Sequence, residues 1–266
     1  MPAKGGATSI PHALTIATSD SGGGAGIQAD LKAFAAAGVY GTSAVVALTA
    51  QNTREVTAVH ELPSDFIRAQ LHAVFDDIGV DAAKTGMLFS KAIVDTVADF
   101  LHQRRVPLVV DPVLIASSGA KLLLDDAVDT LVSRLFPLAT VVTPNLGEAV
   151  ALAGFDGTRR ELAERLHELG APAVIVTGGH GEEAIDHLFA DGRHVEIPVD
   201  RNDIAATHGA GCTHSATLAA LLAKGAPLED AAREAASVAS RAVRNGLVEI
   251  GAGEGPVDVL NLRGAA

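Results

Sequence analysis

Short apolar runs recur along this chain. Each is closed by turn residues and followed by a stretch of helical spacing, and this constrains the fold more than any other feature. The plainest run covers residues 106–110 and stops at Asp111-Pro112-Val113. Apolar residues without alternation belong to a parallel strand covered on both faces. Residues 13–18, 43–49, 140–143, 173–176 and a short piece within 81–87 read the same way. Between them, Phe66, Ile67, Gln70, Leu71, Val74 and Phe75 repeat with a period of 3.6 in a helix predicted over 63–78. Further helices are predicted up to about residue 37 and over 93–101, 124–136, 158–169 and 228–245. Residues 184–189 and 194–198 form two more strands, joined by Ala190-Asp191-Gly192-Arg193, a hairpin signal. Alternating strands and helices predict an α/β fold of three layers, αβα. Its central sheet is mostly parallel, with an antiparallel edge hairpin. No shift of composition divides the chain. The expectation is a loose tail over 1–12 and a single domain over 13–266.

Composition narrows the function. Apolar residues make up 48% of the 266, which excludes a disordered chain. A formal charge of −12 argues against nucleic-acid and anionic-membrane partners. With aromatics at 3% and no Trp, a base-stacking platform is excluded too. The single cysteine, Cys212, rules out an intrachain disulfide and fits a reducing, cytoplasmic setting; no secretory signal pattern opens the sequence.

Two glycine-rich stretches carry the chemistry. The second, Thr207-His208-Gly209-Ala210-Gly211-Cys212-Thr213, runs straight into an apolar stretch of helical spacing. The first N–H groups of a helix lack internal partners, and the helix dipole adds positive charge there. A glycine turn lets a phosphoryl group approach them. The plainer alternative is a helix capped by Thr207 or Thr213. Cys212 at the positive helix end is expected to be a thiol of depressed pKa. It would act as a general base worth about 10²–10⁴-fold in rate.

The first stretch contains Gly24-Ala25-Gly26-Ile27-Gln28-Ala29, a G-x-G-x-x-A pattern. It fails as a dinucleotide site. Six residues, 19–24, follow the strand before the pattern is under way, and no carboxylate follows the second strand at Thr49-Ala50-Gln51-Asn52. Ligands of such sheets bind at the carboxyl ends of the strands. Gln51, Met87, Asp111, Asn145, Glu148 and Thr177-Gly178-Gly179 fall on that rim. Asn145 and Glu148 have the spacing of a helix capping box. Facing a glycine anion hole, the same carboxylates suit Mg²⁺, which takes few protein ligands and keeps phosphate oxygens and water. No P-loop or H-E-x-x-H pattern occurs, and the ten histidines are scattered without a zinc-site spacing.

The motifs, taken together, resemble a known family. The segment from Ser21 through Gly26 to Lys32, with Ala50-Gln51-Asn52-Thr53, Lys84-Thr85-Gly86-Met87 and Asp111-Pro112-Val113, resembles the hydroxymethylpyrimidine/phosphomethylpyrimidine kinases of thiamin biosynthesis. So do Ser117-Ser118-Gly119, the stretch from Thr143 to Ala149, and the stretch from Thr207 to Thr213. That family belongs to the ribokinase-like superfamily, whose sugar kinases usually carry Asp where Cys212 stands.

The resemblance implies two successive ATP-dependent phosphorylations of an aminopyrimidine. Gln51, Asp30, Met87 and Val113 would then meet the pyrimidine. Gly209, Ala210, Gly211 and Cys212 would hold the transferring phosphoryl group. Asp111, Asn145, Glu148, Thr177 and Gly179 would serve ATP and Mg²⁺, with Glu148 and Asp111 nearest the metal. A homodimer is compatible with this. A pyridoxal kinase on the same fold and a non-catalytic vitamin-binding protein are the alternatives. The chain departs from the family at Thr177, where Lys is usual, and at Thr18, where Gly is usual.

Overall fold

The computed structural model describes residues 10–114, 124–178, 184–200, 204 and 206–264. Nine strands form one sheet in the order β3-β2-β1-β4-β5-β6-β7-β8-β9. In chain order the elements begin with β1 (His12–Asp20), α1 (Gly26–Ala36), β2 (Tyr40–Gln51), β3 (Val56–Glu61), α2 (Ser64–Ala73) and β4 (Ala82–Thr85). Then come α3 (Lys91–Gln103), β5 (Leu108–Val110), α4 (Asp125–Thr130), β6 (Val141–Val142), α5 (Leu146–Ala153) and α6 (Arg159–Glu168). The chain ends with β7 (Ala173–Val176), β8 (Ile185–Ala190), β9 (Arg193–Pro198), α7 (Ala210–Ala223) and α8 (Leu228–Arg244).

Strands β2, β1, β4, β5, β6 and β7 run parallel, while β3, β8 and β9 are joined to their neighbours antiparallel. The expected three-layer sheet and its β8–β9 hairpin are present. Alternate residues of the buried strands feed opposite layers. Ile16, Val46 and Val110 pack with Leu71, Val97 and Leu166 on one face. Ala13, Val109 and Ile175 pack with Phe34, Leu218 and Ala235 on the other. This explains why the strands show no polar alternation: both of their faces are core. Each of the larger side chains among these, Val, Ile, Leu or Phe, contributes about 1.5–3 kcal/mol on burial.

The structure corrects several sequence boundaries. His12, assigned to the tail, opens β1 and donates its N–H to Asp81 Oδ2 at 2.8 Å. β2 is longer than the 43–49 run. β3 was missed altogether, because its residues are exposed or half-buried at the sheet edge and leave no core pattern. The helices at 63–78 and 124–136 each pass into a wider π-type turn, at Val74–Ile78 and Leu131–Leu135. Among the described residues no helix is long and apolar enough to cross a membrane.

Candidate active site

The parallel strands end on one rim, and α7 points its N-terminus at it. This helix is buried almost all round, from Thr213 to Ala220. It packs on α1, on α8, and over β1, β4 and β5. Small residues permit this, with Ala231, Ala232, Ala235 and Ala236 forming the buried face of α8.

Neither Thr207 nor Thr213 caps α7. The cap position is Gly209 at φ +83°, with no side-chain bond to the helix. Only glycine fits there, since a Cβ would stand 1.9 Å from the carbonyl oxygen of Gly24. The N–H of Ala210 is taken by Thr207 O at 3.0 Å. Those of Gly211 and Cys212 bond to no acceptor among the described residues. The anion site expected from the sequence is therefore narrowed to these two amides, and Ala210 supplies none.

The first glycine stretch is built differently. The Asp20 carboxylate takes the N–H groups of Gly22 (2.7 Å), Gly24 (3.0 Å) and Ala25 (2.9 Å). His208 Nε2 adds a fourth contact at 3.1 Å. Burial works against the charged form, but His208 and these amides outweigh it and hold the Asp20 carboxyl below its ordinary pKa. This loop already contains its anion.

Beneath the rim lies a charge network the sequence reading did not find. Lys84, inside β4, is fully buried, and its Nζ is 2.8 Å from Asp30 Oδ1 and 3.6 Å from Asp111 Oδ2. Thr15 Oγ1 donates to Asp30 Oδ2 at 2.6 Å, and Ser215 Oγ donates to Asp111 Oδ2 at 2.8 Å. Burial disfavours the ammonium, but the Asp30 and Asp111 carboxylates raise the Lys84 pKa above its ordinary value, so the charge stays. The available signal was a lysine inside a four-residue strand otherwise free of charge.

Asp30 is thereby corrected. Its side chain has no exposure, and both oxygens are engaged. It supports the site through Lys84 and does not meet a substrate directly. Removing either partner would leave a buried charge unpaired, at a cost of about 3–5 kcal/mol.

Cys212 is corrected as well. Burial pushes its thiol up to about 12; Lys84 and the Gly26 amide oppose this, and Asp30 and Asp111 add to it. Although the residue retains partial exposure, its sulfur sits among these groups and carries a proton at neutral pH. The helix dipole favours a thiolate, but desolvation and two carboxylates prevail over it.

Asn145 and Glu148 form a complete capping box. Glu148 N donates to Asn145 Oδ1 and Asn145 N to Glu148 Oε2, both at 2.9 Å. Leu114 N also reaches Glu148 Oε1, at 3.3 Å. Burial and then Asp111 push the Glu148 carboxyl up to about 8, against the Asn145 and Leu114 amides. Capping and a metal role coexist here, because each carboxylate oxygen keeps a lone pair and Asp111 Oδ1 accepts no hydrogen bond among the described residues. A buried carboxyl whose proton affinity is raised by a neighbouring carboxylate fits a divalent cation. Among the described residues no set of three His, Cys, Asp or Glu is arranged to hold a metal. Water and phosphate oxygens would have to complete the shell.

The remaining rim residues are in place. Gln51 Oε1 accepts from Thr49 Oγ1 at 3.1 Å, which leaves the amide nitrogen for a ligand. Met87 is buried, and Val113 is half-buried just beyond Asp111. Thr18 N and Oγ1 both donate to Met87 O, at 3.2 and 3.0 Å. Its hydroxyl thus ties β1 to the Gly86-Met87 turn, which glycine could not do. Thr177 bridges to Asn145 and donates its N–H to Pro144 O at 2.9 Å. Gly179 and Ser117-Ser118-Gly119 lie outside the described residues. His214 stands 3.2 Å from Asp186 Oδ2 on β8, whose Oδ1 takes the Gly178 N–H at 2.6 Å.

The fold and sequence are shared with known proteins. A family model described as phosphomethylpyrimidine kinase matches residues 20–258. The hydroxymethylpyrimidine/phosphomethylpyrimidine kinase of Rhizobium meliloti is 48% identical over 253 residues, spanning 92% of this chain and 95% of that protein. The ADP complex of Bacillus subtilis pyridoxal kinase superposes with a TM-score of 0.88 at 38% identity, covering 96% of this chain and 99% of that one. The phosphomethylpyrimidine kinase of Clostridium difficile gives 0.76 at 38% identity, covering 85% and 96%.

Proposed function

The chain belongs to the phosphomethylpyrimidine kinase family, and from that premise we propose that it transfers the γ-phosphoryl group of ATP to 4-amino-5-hydroxymethyl-2-methylpyrimidine and then to its monophosphate, in thiamin biosynthesis. The non-catalytic alternative is set aside, because the chain is a phosphotransferase by family. The observation that carries the reading is the N-terminus of α7, whose Gly211 and Cys212 amides have no acceptor among the described residues, on the rim that also bears Gln51 and the Asp111–Glu148 pair. We read residues 13–266 as one kinase domain; the lone cysteine supports a cytoplasmic setting.

Each group has a role. The Gly211 and Cys212 amides stabilise charge on the transferring phosphoryl, with Gly209 setting their direction. Gln51 reads the aminopyrimidine edge through its side-chain amide. Met87 and Val113 cover the apolar face of the ring. Glu148 and Asp111 would hold Mg²⁺, which would supply charge neutralisation to the ATP phosphates. Asn145 fixes Glu148, and Thr177 fixes Asn145. The lysine usual in the family at Thr177 is absent, so the amides and Mg²⁺ carry more of the phosphate charge. A loose transition state needs little base assistance, which agrees with a Cys212 thiol that keeps its proton.

A coupled ADP-release assay tests the reading with three acceptors: the hydroxymethylpyrimidine, its monophosphate and pyridoxal. Turnover with the two pyrimidines is expected. The pyridoxal kinase neighbour is the reason for the third arm. A kcat/KM for pyridoxal above that for the pyrimidine would replace this reading with pyridoxal kinase, and no ADP release with any acceptor would sink both.

A further inference from the structure

The two glycine stretches are locked together by one side chain that no catalytic role requires. His208 stands immediately before Gly209, and its ring is largely enclosed, with 13% of the side chain exposed. Its Nε2 faces Asp20 Oδ2 at 3.1 Å. A nitrogen facing a carboxylate oxygen at this distance carries the proton. The same Asp20 oxygen receives the Gly24 and Ala25 N–H groups. The ring also explains Gly24, where a Cβ would lie 2.3 Å from His208 Cδ2.

The backbone of His208 is held on both sides. Its N–H donates to Gly255 O at 3.2 Å, and Val257 N donates to His208 O at 3.1 Å. This same strap reaches the turn after Gln51. There Glu254 N donates to Thr53 O and Gly253 N to Thr53 Oγ1, both at 3.1 Å. Thr207 Oγ1 also bonds to the Glu254 carboxylate. The residue before the phosphoryl-binding turn is therefore fixed by its ring to the first loop and by its backbone to the substrate side.

We propose that His208 is a positioning residue for phosphoryl transfer. Its Nε2–H bond to Asp20 holds the first loop against the second, and so fixes where the Gly211 and Cys212 amides point. The contact of Gly24 O with Gly209 is the mechanical link, since it leaves the αL turn one seat. This inference rests on the phosphoryl-transfer reading above.

The test uses His208→Leu, His208→Gln and Gly24→Ala in the full chain. A misplacement of about 1 Å costs on the order of 10²-fold in rate, so His208→Leu should lower kcat by about that factor. KM for ATP and for the pyrimidine should change little. Gln can donate from its amide to Asp20 and should restore most of kcat. Gly24→Ala should behave like His208→Leu by displacing the ring. Adding Gly24→Ala to His208→Ala should cost nothing further.

Amide hydrogen exchange gives a readout independent of activity. Exchange at Gly22, Gly24 and Ala25 should quicken in His208→Leu and stay near wild type in His208→Gln. Should His208→Leu fail to fold, the Gly24→Ala and His208→Ala pair decides the matter on the same two readouts. Unchanged kcat in His208→Leu, a Gln variant no better than Leu, or faster exchange without loss of kcat would each overturn the proposal. An inactive wild type would sink the functional reading while leaving the exchange data to judge the loop lock.

Discussion

Two glycine loops open two helices on the same rim, and they use their amides in opposite ways. The loop before α1 spends the N–H groups of Gly22, Gly24 and Ala25 on the carboxylate of Asp20, an anion of its own chain. The loop before α7 leaves those of Gly211 and Cys212 without a partner among the described residues. Both stretches are rich in glycine, and both precede a helix, so by pattern alone either could be a phosphate cradle. The difference is whether an acid stands where the amides converge. Asp20, five residues before Ala25, satisfies its loop from within. Among the described residues no acid takes the Gly211 and Cys212 amides as Asp20 takes those of its loop. A glycine loop is an anion site for a ligand only when the protein has not already filled it.

The comparison breaks most sharply at Gly209. Gly209→Ala forces a Cβ to 1.9 Å from Gly24 O at φ +83°. The left-handed conformation alone costs about 1–2 kcal/mol for an L-residue, and the overlap with backbone adds to it. The expected result is a lower urea midpoint and loss of turnover. Wild-type kinetics in this variant would show that the loops do not touch as described.

Next is the acid pair opposite the second loop. Glu148→Gln should lower kcat at saturating ATP and Mg²⁺ by at least ~10²-fold, the scale of a several-kcal/mol metal contact. The wild-type pH dependence has a definite sign. The folded state holds a Glu148 proton up to about 8, above the ordinary glutamate value of 4.5. Stability contributed by this group is therefore full below the unfolded value and is lost as pH rises toward 8. A cation must displace that proton, so apparent Mg²⁺ affinity should tighten as pH rises through the same window. Melting temperature and Mg²⁺ titration, each against pH, check both trends, and both should flatten in Glu148→Gln. A flat wild-type titration would remove Glu148 from the metal site.

Cys212 comes third. With its thiol pushed up to about 12, alkylation should keep accelerating beyond pH 10. Cys212→Ala should lower kcat by less than the roughly 10²-fold that marks loss of a general base. A thiol titrating near neutral pH would restore the thiolate reading.

The smallest effect belongs to Gly211. A Cβ there meets nothing within 4 Å. Gly211→Ala should change stability by no more than about 1 kcal/mol, in the stabilising direction expected inside a helix. Turnover should nonetheless fall, because the methyl enters the space assigned to the phosphoryl group. Unchanged turnover would move that group away from Gly211.

Much of the architecture was legible because burial leaves a pattern. Residues 173–176 match β7 end for end, and the helix expected over 158–169 is α6, with Thr158 at its cap. β3 was illegible because an edge strand with both faces half-exposed has no obligatory pattern. Residue type and strand-end position put Gln51, Asp111 and Glu148 at the rim, where the structure also has them. Depth was not legible. Nothing in the spacing of Asp30 and Lys84, 54 positions apart, tells that they are fully buried against each other. For the same reason the helix end suggested an acidic Cys212, while the surrounding carboxylates and missing water, known only in three dimensions, reverse the sign.

The strap from Gly253 to Val257 has a consequence for how the molecule is made. It closes the site through contacts of extreme sequence separation: His208 to Asp20 spans 188 positions, and Gly253 to Thr53 spans 200. Loop closure of that length is entropically late, and synthesis delivers the N-terminal loops long before the strap. A nascent chain can pair β1 with β2 and bond the Asp20 carboxylate to its own loop amides before His208 and Gly209 have been made. Truncated or stalled products would carry a folded sheet and no working centre, so the site is the final part of the protein to mature.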